Sequence, residues 1–167
     1  MPKPAPDALS LDLYDQPGHL VRRAQQIAVS MFFEAVAPAT TTPIQYAILR
    51  TLQEKPGIDQ VTLAQEIALD SSTTAETAAR LEAKGLIGRE VMARRQRRLT
   101  LTPAGEALLT SLIPAVHRMR AAMLSSMEPA EQKEFIRLLR KFVHLNNDQS
   151  RAPKGGKVVD RADDAAA

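Results

Sequence analysis

The 167-residue sequence has no cysteine and no tryptophan, and only 4% of its residues are aromatic. The absence of cysteine excludes disulfides, thiolate metal sites and thiol nucleophiles. The shortage of aromatics argues against an all-β sandwich, whose strands are rich in them. Apolar runs are interrupted well before the ~18 residues that a membrane-spanning helix needs, and residues 1–7 lack the apolar segment of a secretory signal. We therefore expect a soluble cytoplasmic protein with no membrane partner.

Catalytic and metal-binding motifs are also missing from the sequence. The three histidines are scattered along the chain, and neither a glycine-rich phosphate loop nor a Ser-His-acid arrangement is present. The sequence therefore predicts no enzymatic activity, no metal and no cofactor.

What the chain does have is enough apolar residues for a core, 44%, and a positive charge that is concentrated in one place. The net charge of the whole chain is +3, whereas residues 80–98 carry seven basic residues against two glutamates, a local net charge of +5. Such a concentration favours contact with a polyanion. The seven basic residues are Arg80, Lys84, Arg89, Arg94, Arg95, Arg97 and Arg98.

Apolar periodicity predicts a mainly α-helical fold with one small β-hairpin, organised as a winged helix-turn-helix flanked by N- and C-terminal helices. We call residues 42–102 the reading head. Within it, the pattern predicts helices at 43–54, 62–68 and 70–84, then strands at 86–92 and 98–102 that are joined by the basic linker 93–97. The remaining predicted parts are a disordered arm (1–11), an N-terminal helix region (12–41), two C-terminal helices (103–147) and a disordered tail (148–167).

Three helices outside the reading head carry apolar stripes at helical spacing, and we expect the stripe of the second to face inward. The first covers 19–37, the second 103–127, and the third starts at Pro129. Pro114 lies inside the second and should bend it. The stripe of the third helix consists of Phe135, Leu138, Leu139, Phe142 and Val143.

Two short helices followed by a hairpin suit DNA chemically. The second helix begins with short hydroxyl side chains, which permit close approach to bases and phosphates, and the arginines of the linker can reach an adjacent minor groove or its phosphates. Taken singly, the hydroxyl cluster also fits helix capping and the linker also fits a solvated loop, but their order and spacing together favour DNA. The predicted DNA-binding residues are Ser71, Ser72, Thr73, Thr74, Thr77, Arg80, Arg94, Arg95, Gln96 and Arg97.

The same region contains the segments Thr42-Pro43-Ile-Gln-Tyr-Ala-Ile-Leu, Leu63-Ala-Gln-Glu-Ile, Asp70-Ser-Ser-Thr-Thr, Arg80-Leu-Glu-Ala-Lys-Gly-Leu-Ile, Arg94-Arg95 and Leu101-Thr-Pro-Ala-Gly. With these segments, residues 40–105 resemble the DNA-binding core of the multiple-antibiotic-resistance regulator (MarR) family, and the resemblance extends over roughly residues 12–147. One departure concerns the wing, where Ala93 stands in place of the Asp that usually precedes the two arginines and pairs with one of them.

The resemblance implies an obligate homodimer in which the first, fifth and sixth helices interlock and each protomer presents one reading head. Two-fold symmetry then predicts a pseudo-palindromic double-stranded operator with half-sites about one helical turn apart. The long apolar C-terminal helices agree with this, because they exceed what a compact reading head needs to cover itself. The alternative is that they complete the core of a monomer.

A polar stripe on the first helix is the candidate effector site. It consists of His19, Arg23, Gln26 and Ser30, at spacings i, i+4, i+7 and i+11. A histidine and an arginine one turn apart can hold a planar carboxylate, since guanidinium binds carboxylates bidentately. The resemblance implies that small ligands bind between the dimerisation helices and the reading head, which adds the candidates Tyr46, His117 and Arg118. An ordinary solvated helix face is the alternative interpretation.

The segment Leu13-Tyr-Asp-Gln-Pro-Gly-His-Leu-Val-Arg-Arg-Ala-Gln-Gln resembles regulators of aromatic-acid breakdown, above all those of nicotinate degradation. This resemblance implies a repressor that a hydroxylated pyridine carboxylate, or a similar small aromatic carboxylate, releases from DNA. Release would occur by a population shift towards a spacing of the reading heads that no longer matches successive major grooves. The alternative is a winged-helix DNA-binding protein with no effector, either architectural or constitutively repressing.

Overall fold

The computed structural model describes residues 12–91 and 97–155, with the backbone alone for Val91 and Arg97. In chain order its elements are a 3₁₀ turn at Leu13–Asp15, α1 (Pro17–Val36), α2 (Pro43–Glu54), β1 (Ile58–Asp59), α3 (Gln60–Glu66), α4 (Ser71–Ala83), β2 (Ile87–Val91), β3 (Arg97–Leu101), α5 (Pro103–Leu124), α6 (Pro129–Leu145) and a 3₁₀ turn at Asn147–Gln149. The predicted fold class is confirmed. The predicted arm 1–11 and the tail beyond residue 155 lie outside the described residues.

Local capping chemistry sets the boundaries of the reading-head helices. At the start of α2, the Gln45 amide donates to the Thr42 hydroxyl at 3.2 Å, and the Thr42 amide donates to Gln45 Oε1 at 3.1 Å. This reciprocal capping box satisfies two amides that the first helical turn leaves unpaired. At the end of α4, Gly85 adopts a φ of +69°, a left-handed conformation that ends the helix at low steric cost.

The wing contains three strands rather than the two that the sequence predicts. Their order is β1-β3-β2, all antiparallel, with Ile58 opposite Leu99 and Ile87 opposite Leu101. Strand β1 has only two residues, too few to display the alternation by which a strand is recognised. The helix predicted at 62–68 begins earlier, at Gln60, because the Asp59 carboxylate accepts from the amides of Val61 and Thr62 and caps it.

Two apolar clusters hold the chain together. The larger one fills the reading head and includes one residue of α5; it consists of Ile48, Leu49, Leu52, Leu63, Ala78, Leu81, Ile87, Leu99 and Leu109. The smaller one joins α1 to α5 through Phe32, Val36 and Leu112. Tyr46 and Leu108 pack against both clusters, so the reading head and the α1–α5 pair form one continuous core. Helix α5 runs from residue 103 to 124 without interruption at Pro114.

The apolar stripe of α6 is not buried within one chain. Within α6, all of which the structure describes, no residue is buried, and Phe142 is 51% exposed. The first half of α1 is similarly uncovered, with Leu20, Val21 and Ile27 each between 45% and 49% exposed. The interpretation of α6 as the cover of a monomeric core is therefore wrong.

The predicted start of the disordered tail, residue 148, is too early in the chain, because the structure describes an ordered segment up to residue 155. Beyond the 3₁₀ turn, the Lys154 amide donates to Asn147 Oδ1 at 2.8 Å, and Asn147 Nδ2 donates to the Lys154 carbonyl at 3.2 Å. The Gly155 amide then donates to the carbonyl of Gln65 in α3, also at 3.2 Å. These hydrogen bonds order the chain through Gly155 although its composition offers little apolar surface.

Candidate nucleic-acid interface

Helix α4 is capped by Asp70, whose carboxylate accepts from the Thr73 amide at 2.8 Å and from the Ser72 hydroxyl at 2.6 Å. These hydrogen bonds lower the pKa of Asp70 to about 2, and the one from the Ser72 hydroxyl has the largest effect. The carboxylate is therefore ionised at neutral pH and holds the first turn of α4 in place. The N-cap residue of α4 is thus Asp70, and not Ser71, Ser72 or Thr73.

Thr74 is a correction to the predicted DNA-binding set. Its side chain is 0% exposed, and its hydroxyl donates to the Asp70 carbonyl at 2.9 Å. It faces the core because it shares a helix face with Ala78 and Leu81, four and seven residues later, which are also buried. A hydroxyl enclosed in this way offers no atom to a base edge.

The outward face of α4 carries Ser72, Glu76 and Arg80, spaced four residues apart and therefore aligned along one side of the helix. The Arg80 guanidinium lies 3.5 Å from the Glu76 carboxylate, and both side chains are about 70% exposed. Ser71 is also exposed, while Thr73 and Thr77 are half-buried on the flanks of this face. We call Ser72, Glu76 and Arg80 the outer row. Sequence analysis missed Glu76, although the spacing to Ser72 and Arg80 was available.

Arg89 belongs to the basic stretch 80–98 but faces the protein. Its side chain is 11% exposed and lies between strand β2 and helix α4. There Nη2 donates to the Ala75 carbonyl at 3.1 Å, and Nε lies 3.4 Å from the Glu82 carboxylate, an ion pair without hydrogen-bond geometry. Arg89 therefore fixes the wing against α4 instead of adding to the charge presented to a polyanion.

Strands β2 and β3 remain paired up to Val91 opposite Arg97, and residues 92–96 connect them. The predicted contacts Arg94, Arg95 and Gln96 lie in this connection, outside the described residues, and the side chain of Arg97 is not described either. In the sequence, they follow the end of β2 and precede or begin β3.

The candidate effector residues do not converge within one chain. On α1, Arg23 donates to Gln26 Oε1 at 3.2 Å, and both side chains and Ser30 are exposed. His19 packs edge-on against the Tyr14 ring, with the ring centroids 5.2 Å apart. The His19 Nδ1 lies 3.3 Å from Nη2 of Arg22, whereas the His19 Nε2 is buried and has no hydrogen-bond partner among the described residues.

Two of the other effector candidates, Arg118 and Tyr46, lie near the second half of α1. Arg118 lines an open cleft of about 300 Å³ between α1 and α5, together with Met31 and Glu34. Met31 is twelve residues from His19, about 18 Å along a helix, so Arg118 and His19 do not face one site in a single chain. His117 is exposed on α5. The Tyr46 ring packs edge-on against Phe32, with 5.8 Å between centroids.

The described ranges, residues 12–91 and 97–155, offer no metal site and no membrane-spanning helix. Within these ranges, no three His, Asp or Glu side chains come close enough together to hold a metal ion. No helix in the described part of the chain has the length and apolar character needed to span a membrane.

The fold and the motifs of the reading head coincide with those of known proteins. The sequence model of the MarR family matches residues 41–91. The transcriptional regulator HosA of Escherichia coli O157:H7 is 38% identical over 109 residues, which cover 64% of this chain and 80% of HosA. The chain belongs to the MarR family. A second relative, the HTH-type transcriptional repressor NicR of Pseudomonas putida, is 30% identical over 145 residues, covering 85% of this chain and 92% of NicR.

A solved structure supports the MarR assignment at the level of the fold. BpsR of Bordetella bronchiseptica, whose DNA binding is regulated by 6-hydroxynicotinic acid, superposes with a TM-score of 0.72 at 30% identity. The match covers 77% of this chain and 93% of BpsR. The chain is thus a MarR-family transcriptional regulator with a winged helix-turn-helix fold.

Proposed function

We propose that this chain is a homodimeric repressor that binds a pseudo-palindromic operator and is released by a small aromatic carboxylate. The observation that carries the DNA-binding part is the exposed outer row of a firmly capped helix beside a hairpin whose connection contains Arg94 and Arg95. DNA binding also carries the proposal of a cytoplasmic location, since that is where a bacterial operator lies. We assign the chain no catalytic role, in keeping with HosA and NicR, which are named as regulators.

Selection from a randomised duplex library tests the DNA-binding proposal. The full chain is expected to enrich a two-fold symmetric sequence with half-sites about one helical turn apart, and to prefer it over a scrambled duplex by about a thousandfold or more at moderate salt. Enrichment of no sequence would indicate an architectural binder, and absence of binding in dilute buffer would contradict the proposal altogether.

The uncovered faces of α1 and α6 support the homodimer. Phe135, Leu138, Leu139, Phe142 and Val143 form a continuous apolar face on a helix with no buried residue, and exposed patches of this kind mark interfaces. A second copy of the chain offers the same face, so a two-fold axis can bury both at once.

Replacing Leu138 with glutamate should convert the dimer to a monomer, because it places a charge in the buried interface. Operator affinity should then fall by about a hundredfold or more, since the second half-site no longer benefits from tethering. Sedimentation velocity and operator binding measure the two effects. Lys133→Glu, an exposed position on the opposite face of α6, is the control, and equal behaviour of the two variants would remove the Leu138 face from the interface.

A small aromatic carboxylate is the effector class that the residues favour. Arg23 supplies an exposed guanidinium on the α1 face that also holds Gln26, and the neighbouring His19 keeps a buried imidazole nitrogen without a partner. These groups lie on an α1 segment whose apolar side is uncovered, so a partner protomer would enclose the site. One structural neighbour supports this chemistry, because DNA binding by BpsR is regulated by 6-hydroxynicotinic acid.

Arg23→Ala should leave operator affinity within about twofold but reduce release by 6-hydroxynicotinic acid at least tenfold, because a charge-assisted contact to the carboxylate is lost. Fluorescence anisotropy of labelled operator, titrated with the acid, measures both. The amide analogue of the acid should not release wild-type protein. Arg137→Ala, which removes another exposed arginine, on α6, is the control variant.

The second candidate is a regulator that has no effector, and the same titration separates the two. Normal release of Arg23→Ala would show that the site lies elsewhere. If neither 6-hydroxynicotinic acid nor other aromatic acids changed operator binding or the melting temperature of the wild type, the effector part of the proposal would fail and DNA binding would stand.

A further inference from the structure

Glu76 is an acidic residue in the middle of the outer row of α4. One turn before it lies Ser72 and one turn after it lies Arg80, whose guanidinium is 3.5 Å from its carboxylate. The pair is about 70% exposed, so solvent screens it, and it contributes little to folding stability. The other glutamate of α4, Glu82, is 43% exposed and is paired with the inward-facing Arg89. Glu76 is therefore the acidic residue at the centre of the outer row.

A carboxylate in this position is unfavourable for DNA binding as such, because it is repelled by phosphates. It has only acceptor atoms, and the donors that the major groove offers are the amino groups of cytosine and adenine. Of these, the cytosine N4 amino group is the usual partner of Glu, whereas adenine pairs bidentately with Asn or Gln. Arg80, one turn away, supplies the complementary donors for guanine or for a phosphate.

We propose that Glu76 is a specificity-determining residue that accepts a hydrogen bond from a cytosine amino group in each half-site and disfavours other sequences by charge repulsion. This inference rests on the proposed operator binding. In the free protein, Glu76 holds Arg80 along the helix surface. On the correct site the carboxylate gains a donor, whereas on any other site it remains unpaired beside acceptor atoms and phosphates.

The test is a sequence selection from a randomised duplex library with wild-type protein and with Glu76→Gln, followed by competition between the wild-type operator and a scrambled duplex. The substitution keeps size and removes charge. We expect a cytosine preference at one position per half-site in the wild type, and a shift towards adenine at that position in Glu76→Gln. The operator-to-scrambled affinity ratio should fall about tenfold or more, partly because affinity for the scrambled duplex rises.

Glu54→Gln is the matched control. Glu54 is an exposed glutamate on α2 that is paired with Arg50 at 2.9 Å, also one helical turn apart, so the substitution removes the same charge and the same kind of ion pair from another helix. It should leave the selected sequence and the affinity ratio unchanged. Thermal melts of both variants verify that they fold.

The outcomes separate this inference from the proposed function. A wild type that selects an operator, together with a Glu76→Gln variant that selects the same bases with the same affinity ratio, would overturn the role of Glu76 and leave operator binding intact. Equal losses in Glu76→Gln and Glu54→Gln would likewise overturn it, because general charge would then be the cause. A wild type with no sequence preference would refute operator recognition and the role of Glu76 together.

Discussion

Gly105→Ala should destabilise the protein by about 2–3 kcal/mol, because an added methyl group has no space where α5 begins. A Cβ at this position would lie 2.0 Å from the backbone oxygen of Leu86. That oxygen is held in place by the Thr102 amide at 3.1 Å, so the backbone of the reading head must shift to accommodate it. Urea denaturation would measure the change, and the melting temperature should fall by roughly 5–10 °C.

Gly88→Ala is the matched control for this prediction. Gly88 lies in β2, near the start of α5, but a Cβ there would meet only the Thr100 hydroxyl, at 3.4 Å. Its effect on the free energy of unfolding should stay below about 1 kcal/mol. If the two alanine variants unfolded at the same urea concentration, the contact between the start of α5 and the backbone of Leu86 would not be rigid, contrary to the packing described above.

The second large effect is expected from the double variant Arg94→Ala/Arg95→Ala. In a dimer it removes four positive charges from the wing connections, and each phosphate contact contributes about 0.9 to the slope of log affinity against log salt. The slope should therefore flatten by roughly three to four, and affinity for operator and scrambled duplex should weaken together. Between 50 and 200 mM salt, the wild type should lose roughly a hundredfold more affinity than the variant.

Binding titrations at several salt concentrations measure the slope. Arg120→Ala/Arg137→Ala, which removes the same number of charges from α5 and α6, is the control and should leave it unchanged. An unaltered slope in the wing variant would show that Arg94 and Arg95 make no phosphate contacts, and recognition would then depend on α4 alone.

Local rules predict much of this fold because their interactions span only a few residues. The Thr42–Gln45 capping box and the left-handed Gly85 involve neighbours within one turn, so a short stretch of sequence contains all the partners. The order of helices, hairpin and C-terminal helices follows from apolar periodicity in the same way. Strand β1 escaped prediction because its two residues are ordered by pairing with β3, some forty residues later.

The candidate interface was less predictable, since residue type alone does not give the direction of a side chain. Thr74 has the same chemistry as Thr73, yet its spacing to Ala78 and Leu81 places it in the core. Applying the helical period to every hydroxyl would have excluded Thr74 and would have placed Glu76 in the outer row. No such rule exists for Arg89, whose inward direction depends on contacts with α4 across fourteen residues of sequence.

The hydrogen bond from Gly155 to Gln65 has a practical consequence for anyone who wishes to shorten this protein. Composition alone would place the cut just after α6, and that cut would discard the Asn147–Lys154 clamp and the segment that rests on α3. The Cβ of any other residue at position 155 would lie 2.8 Å from the Gln65 side chain, so this junction also tolerates little variation. A trimmed form should therefore retain the chain through Gly155, and an appended affinity tag needs a spacer that keeps it away from α3.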